Sequence, residues 1–360
     1  MTAPFDFAPL LAPGTPAPSA KWNGHPKYNF IGGNVDPEQV PVEELVEAAT
    51  TMLRREGKSL SMYGMNSGPL GYKPLRDFLV GKLKDHAGMN LSADNILITS
   101  GSLQGLDLVN TLLVGRGDTV LVEQETYGGT LTRLARFNAN TIGVPLDDDG
   151  LRMDALKRTL DDLAKKNVKP KFIYTIPTVQ NPTGSVMPEK RRAEFLEIAR
   201  NAGVMIFEDE CYSDLVWNLK RPPSLYAMAD GEGVIFIGSF SKSIAVALRV
   251  GYVVAKWEVM SRILGKAGRG LGRARADDAG ALLHQALQGS RAARHQDAAR
   301  QAADPARGAG LAVRHLGRVR RPTGRHLPVG EAARQRRHAA TRQSRQRRRH
   351  LDQSRPRVVD

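Results

Sequence analysis

Short apolar runs separated by segments of helical spacing set the frame for this chain. The runs lie at 96–99, 120–123, 172–177, 204–209 and 234–238, with a further one at 250–254. Each is four to six residues long and mostly branched or aromatic, which is the signature of a strand buried on both faces. Apolar residues at helical spacing fill the intervals at 106–113, 156–164 and 189–201, and upstream at 42–55 and from 71 to about 86; strand–helix alternation also runs through 141–145. Alternation of this kind predicts an α/β fold with a mostly parallel central sheet. In such sheets ligands bind beyond the carboxyl ends of the strands. Ser102, Tyr127, Asn181, Asp209 and Lys242 each fall at or just after the end of one of the runs, so the topology alone sends them to one edge.

Ser239-Phe240-Ser241-Lys242, with Arg249 seven residues beyond the lysine, closes the run at 234–238. Burial at a strand end favours the neutral amine of a lysine, the form that attacks carbonyl groups. Two hydroxyls before it and an arginine after it can hold a phosphate dianion, and a lysine beside a phosphate clamp is what a Schiff-base enzyme using pyridoxal phosphate needs. A solvated lysine at a strand end is the plain alternative. Ser100-Gly101-Ser102-Leu103 stands between a strand and a helix, a layout that turns free N–H groups and the helix dipole toward an anion. Tyr127 is placed either to stack on a flat ring or to pack in the core. Asn181-Pro182-Thr183-Gly184 reads as a turn, and Asp209-x-x-Tyr212 closes a strand with a carboxylate. Glu208 and Glu210 read as solvated or structural, and Cys211 as packed, since nothing basic adjoins it.

Taken together, Asn181-Pro182-Thr183-Gly184, Asp209-x-x-Tyr212 and Ser239-x-Ser241-Lys242 with Arg249 resemble the aminotransferase class I/II family, the fold-type I enzymes that use pyridoxal phosphate. The resemblance covers about residues 28–265. It implies that Lys242 carries the cofactor as a Schiff base and shuttles the proton at the substrate α-carbon. It implies that Asp209 pairs with the pyridine nitrogen, that Asn181 and Tyr212 hydrogen-bond the ring oxygen, and that Tyr127 stacks on the ring. Ser102, the N–H of Leu103, Ser239, Ser241 and Arg249 would hold the phosphate. Tyr63 resembles the tyrosine that reaches the phosphate of a neighbouring subunit, which implies a homodimer with a shared site. Gly33, in the turn Phe30-Ile31-Gly32-Gly33-Asn34, resembles the glycine lining the substrate pocket, where Asn181 also contributes. The implied reaction moves an amino group from an amino acid to a 2-oxo acid; elimination or decarboxylation on the same fold is the alternative. No metal site is implied.

The resemblance assigns residues 1–60 to an arm and first helix and 61–265 to the large cofactor-binding domain. Beyond them the composition changes. From Ala267 to Asp360 there are 22 Arg and 7 acidic residues, with no Lys, Ile, Met, Asn, Phe, Tyr, Trp or Cys. The first 266 residues carry 30 basic and 30 acidic side chains, so the whole net charge of +15 belongs to the tail. Such a tail cannot bury much apolar surface and is expected to be disordered. The change fits a reading-frame slip near residues 266–270, and the family's C-terminal small domain, with its carboxylate-binding arginine, is not recognisable in 266–360. The chain as written is therefore expected to be poorly stable and weak or inactive as a transaminase. Arginine runs bind phosphate backbones, but no aromatics are interleaved, so no specific nucleic-acid partner is expected. One cysteine excludes an intramolecular disulfide and, with no signal peptide or membrane-spanning run apparent, points to a reducing, cytoplasmic setting.

Overall fold

The computed structural model describes residues 5–11, 15, 17–29, 32–62, 66–216 and 220–267. The chain divides into two units, Met1–Leu316 and Gly317–Asp360; the second, like the whole arginine-rich stretch from 268 onward, lies outside the described residues. The expectation of tail disorder lies there too.

Two helices, α1 (Val42–Glu56) and α2 (Lys73–Ala87), precede the sheet. Then follow β1 (Ile96–Ser100), α3 (Gly101–Leu113), β2 (Thr119–Glu123), α4 (Gly128–Arg136) and β3 (Asn140–Val144). A small ribbon of β4 (Leu146–Asp147) and β5 (Gly150–Leu151) leads to α5 (Met153–Lys165), β6 (Phe172–Thr175) and α6 (Glu189–Ala202). The described part closes with β7 (Met205–Asp209), α7 (Leu225–Met228), β8 (Val234–Ser239), β9 (Val250–Val254) and α8 (Trp257–Ala267). Every apolar run of the sequence is a strand. Helix α3 starts at Gly101, ahead of the apolar stretch 106–113.

The seven-stranded sheet has the order β1-β9-β8-β7-β6-β2-β3. Strands β8, β7, β6, β2 and β3 are mutually parallel, and β9 runs antiparallel to both neighbours, β1 and β8. Only ten residues join β8 to β9, too few for the crossover that a parallel neighbour needs. The reversal matters for the site. It brings the start of β9 to the edge where the other strands end, with Ser100 opposite Val250 and Ser239 opposite Gly251.

Alternate strand residues feed two separate cores. Leu121, Ile173, Ile206 and Phe236 join the face covered by α2, α5, α6 and α7; Val120, Val122, Phe172, Phe207, Ile235 and Ile237 join the face covered by α3, α4 and α8. The sheet is thus covered on both sides, and the polar ends of the strands are left as the place for chemistry. No helix among the described residues is long and apolar enough to cross a membrane.

Candidate active site

The sheet's carboxyl edge gathers the side chains picked out in the sequence. Asp209 is the last residue of β7 and is 4% exposed. Its Oδ2 accepts from the Tyr174 hydroxyl at 2.6 Å and its Oδ1 from the Cys211 N–H at 3.1 Å. Burial pushes its carboxyl above the usual range, against those two donors. Its bonding partners are neutral, so a cationic ring N–H placed against it would relieve the cost of its burial. Cys211 is held inert: burial raises its thiol well above the ordinary value, and Asp209 adds to the effect.

Lys242 lies in the turn after β8, partly buried. Its Nζ donates to the carbonyls of Gly32 and Gly33, both at 2.8 Å, and stands 5.8 Å from the centre of the Tyr212 ring. Burial lowers its pKa, and the Arg249 guanidinium acts in the same direction. The structure thus brings Gly33 to the lysine; Phe30, Ile31 and Tyr63 lie outside the described residues.

Asn181 donates from Nδ2 to the Tyr212 hydroxyl at 3.2 Å, and the Asn181–Pro182 peptide is cis. Burial pushes the Tyr212 phenol up to about 12. Tyr127 forms the N-cap position of α4 with its ring folded over Gly129. Its phenol is raised by burial and feels the charge of Asp209.

At the other end, α3 opens with Gly101, Ser102 and Leu103, and no side chain caps it. The first N–H groups of a helix have no intrahelical partner, so this turn can receive an anion. Ser239 Oγ accepts from the Ser241 N–H at 3.1 Å, which folds the turn before Lys242. Arg249 sits in left-handed backbone with φ 52° just before β9. Its guanidinium packs against Gly101, where a Cβ would collide with it. A Cβ on Gly251 would come within 2.6 Å of the backbone of Gly101 and Ser102. The helix start and the arginine can therefore meet only because both positions are glycine.

This arrangement fits a flat, cationic, phosphorylated ring bearing an aldehyde: a carboxylate at one end, helix N–H groups with serines and an arginine at the other, a hydroxyl–amide pair at the side and a primary amine within reach.

The sequence reading missed the residues beneath this surface. Tyr174 holds Asp209. Glu123, at the end of β2, accepts from Thr175 Oγ1, Ile176 N–H and Gln180 Nε2 at 2.6, 3.0 and 2.8 Å. Arg192, fully buried, reaches Glu210 Oε1 at 3.4 Å and Glu208 Oε1 at 3.8 Å. Glu208 and Glu210 are structural and buried, at 0% and 3% exposure; burial, followed by the neighbouring Glu210, raises the Glu208 carboxyl. A polar residue inside an apolar strand was the available signal, since a buried phenol or carboxylate must find a partner.

The family model for aminotransferase class I and II matches residues 29–302. The aromatic-amino-acid aminotransferase 1 of Thermococcus litoralis is 35% identical over 228 residues, which is 63% of this chain and 54% of that protein. The 2-aminoadipate transaminase of Thermus thermophilus is 34% identical over 239 residues, 66% of this chain and 57% of that protein. Among solved structures, the alpha-aminoadipate aminotransferase of Thermus thermophilus, complexed with N-(5'-phosphopyridoxyl)-L-leucine, superposes with a TM-score of 0.66 at 33% identity, covering 75% of this chain and 67% of that one. The chain thus spans rather more than half the length of the curated relatives it matches. The match takes in the whole sheet and every residue gathered at its carboxyl edge, and on it the fold is that of fold-type I transferases: this chain belongs to the aminotransferase class I and II family.

Proposed function

We propose that this protein is a pyridoxal phosphate-dependent aminotransferase that moves an amino group from an amino acid to a 2-oxo acid. The observation that carries the reading is the convergence of Lys242, Asp209 and the Asn181–Tyr212 pair on one sheet edge. When bound, the cofactor supplies an aldehyde to capture the substrate amine and a cationic ring to hold the electron pair released at the α-carbon. Asp209 keeps the ring nitrogen protonated. Asn181 and Tyr212 donate to the ring oxygen, and Tyr127 covers a ring face. Ser102, the Leu103 N–H, Ser239, Ser241 and Arg249 hold the phosphate. Lys242 holds and returns the migrating proton on Nζ, a task suited to an amine whose pKa burial has lowered. Gly33, with its carbonyl on Lys242, lines the substrate side together with Asn181.

Residues 61–265 form the large domain in this reading, preceded by the arm and first helix, and the single cysteine fits a cytoplasmic setting. A second copy of the chain is the expected partner. Val42, Val46 and Leu53 lie along α1 with about half of each side chain exposed; a row of apolar groups on one helix supports an interface there.

The test is a half-reaction. The protein loaded with pyridoxal phosphate is mixed with one amino acid at a time, with no oxo acid present. Conversion of the bound cofactor to its aminated form with stoichiometric 2-oxo acid is expected. Release of ammonia or carbon dioxide, or a spectrum unchanged by every amino acid, would overturn the proposal.

A further inference from the structure

Asn181 stands at the tip of a hairpin whose strands meet at the Thr178–Val186 bridge. The tip is closed by Gln180 N–H to Ser185 O at 2.9 Å and Gly184 N–H to Gln180 O at 2.6 Å. Just before it, Val179 takes φ 55°. A β-branched residue holds left-handed backbone only where its surroundings impose it. Something must therefore fix this turn.

The stem is fixed by Arg192, whose Nη2 donates to Pro177 O at 3.1 Å and Thr178 Oγ1 at 2.8 Å and whose Nε donates to Met187 O at 3.0 Å. The tip is fixed otherwise. The Gln180 amide is 1% exposed and fully satisfied. Its Nε2 donates to Glu123 Oε2 at 2.8 Å and to Glu125 O at 2.6 Å; its Oε1 accepts from Thr183 N–H at 2.9 Å and Thr183 Oγ1 at 2.8 Å. One side chain thus ties both flanks of Asn181–Pro182 to the end of β2, and Glu123 carries the tie on to the end of β6 through Thr175 and Ile176. Glu123 is its anchor: it is 1% exposed, and three donors converge on it with no other role in the proposed chemistry.

We propose that Glu123 and Gln180 are positioning residues for Asn181. The pair sets the turn so that the Asn181 amide reaches the Tyr212 hydroxyl and, on the aminotransferase reading on which this half of the inference rests, the ring oxygen of the cofactor. Losing either partner leaves the other buried with unmade bonds, so the tip loosens while the stem stays held by Arg192.

Gln180→Ala, Glu123→Gln and Asn181→Ala are compared with Leu163→Ala, a core truncation in α5, which makes none of the hydrogen bonds that hold the hairpin. In the cofactor-free protein, Gln180→Ala is expected to speed hydrogen exchange of the 178–186 peptide roughly tenfold or more, with α6 unchanged; Leu163→Ala should leave that peptide slow relative to its neighbours. In the protein loaded with pyridoxal phosphate, the pH midpoint of the visible absorbance should rise in Gln180→Ala, as in Asn181→Ala, by roughly half to one unit, the size of one net hydrogen bond. The sign follows because a donor on the ring oxygen draws off negative charge that would otherwise hold a proton on the adjacent nitrogen. Glu123→Gln sets an amide donor against the Gln180 donor and should shift the same way; adding Gln180→Glu restores a donor facing an acceptor and should recover part of the shift.

Unchanged exchange in Gln180→Ala, or an equal midpoint shift in Leu163→Ala, would overturn the inference. Should the unmutated protein give no visible band, the aminotransferase reading fails and takes the cofactor half of the inference with it. The exchange comparison still decides, by itself, whether Glu123 and Gln180 hold the hairpin.

Discussion

Lys242→Ala should lower the rate of the amino-acid half-reaction by about 10²–10⁴-fold, the usual contribution of a positioned general base, and leave the fold intact. Among the described residues the Lys242 amine donates to the carbonyls of Gly32 and Gly33 and faces the Tyr212 ring. It supports no core residue, and its removal strands no buried charge. Circular dichroism and the urea midpoint of the cofactor-free variant should therefore match the parent. A rate within threefold of the parent would remove Lys242 from the chemistry; a lost rate with a lost fold would give it a structural role that its contacts do not suggest.

Arg192→Met should be the most damaging single change to stability, costing about 3–5 kcal/mol, the effect of removing one partner from a buried ion pair. Arg192 is 0% exposed and stands between Glu208 and Glu210, themselves 0% and 3% exposed. Arg221 reaches Glu210 Oε2 at 3.3 Å but not Glu208, so it covers only part of the loss. The same guanidinium also accounts for the backbone acceptors at Pro177, Met187 and Pro223. A methionine fills the space of the stem and answers none of them. Urea denaturation of the cofactor-free protein measures the loss. Arg262→Ala, which removes an exposed pair with Glu258, sets the scale, since such pairs contribute at most about 1 kcal/mol. A change at Arg192 no larger than that would mean that water or a rearranged Arg221 serves the two carboxylates.

Six strands of the large sheet were legible because they are buried almost throughout, so periodicity reduces to a plain apolar run; the edge strand β3, with exposed and half-buried residues, shows no such run. Their polar successors were legible because the topology of a parallel sheet sends strand ends to one place. Arg249 escaped that rule, since it precedes a strand; it reaches the site only through the reversal of β9, which a ten-residue connection dictates but a motif does not display. Glu123, Tyr174, Gln180 and Arg192 were not legible as a group. Each reads alone as an ordinary polar residue, and their meaning lies in pairings across the sequence: Arg192 with Glu210 at 18 positions, Tyr174 with Asp209 at 35 and Gln180 with Glu123 at 57. Glu208 shows the limit from the other side: its position beside Asp209 left a solvated and a structural reading open, and on a strand of a doubly covered sheet, where alternate side chains go to opposite buried faces, the structure takes the second.

Capture of pyridoxal phosphate at the sheet edge through Lys242 is open to one direct measurement. The full chain is incubated with the cofactor, reduced with borohydride, digested and mapped by mass spectrometry. The account predicts a visible absorbance that borohydride abolishes and a single phosphopyridoxyl adduct on the peptide bearing Lys242, absent from Lys242→Ala. Adducts scattered over surface lysines, with Lys242 unmodified in folded protein, would contradict it.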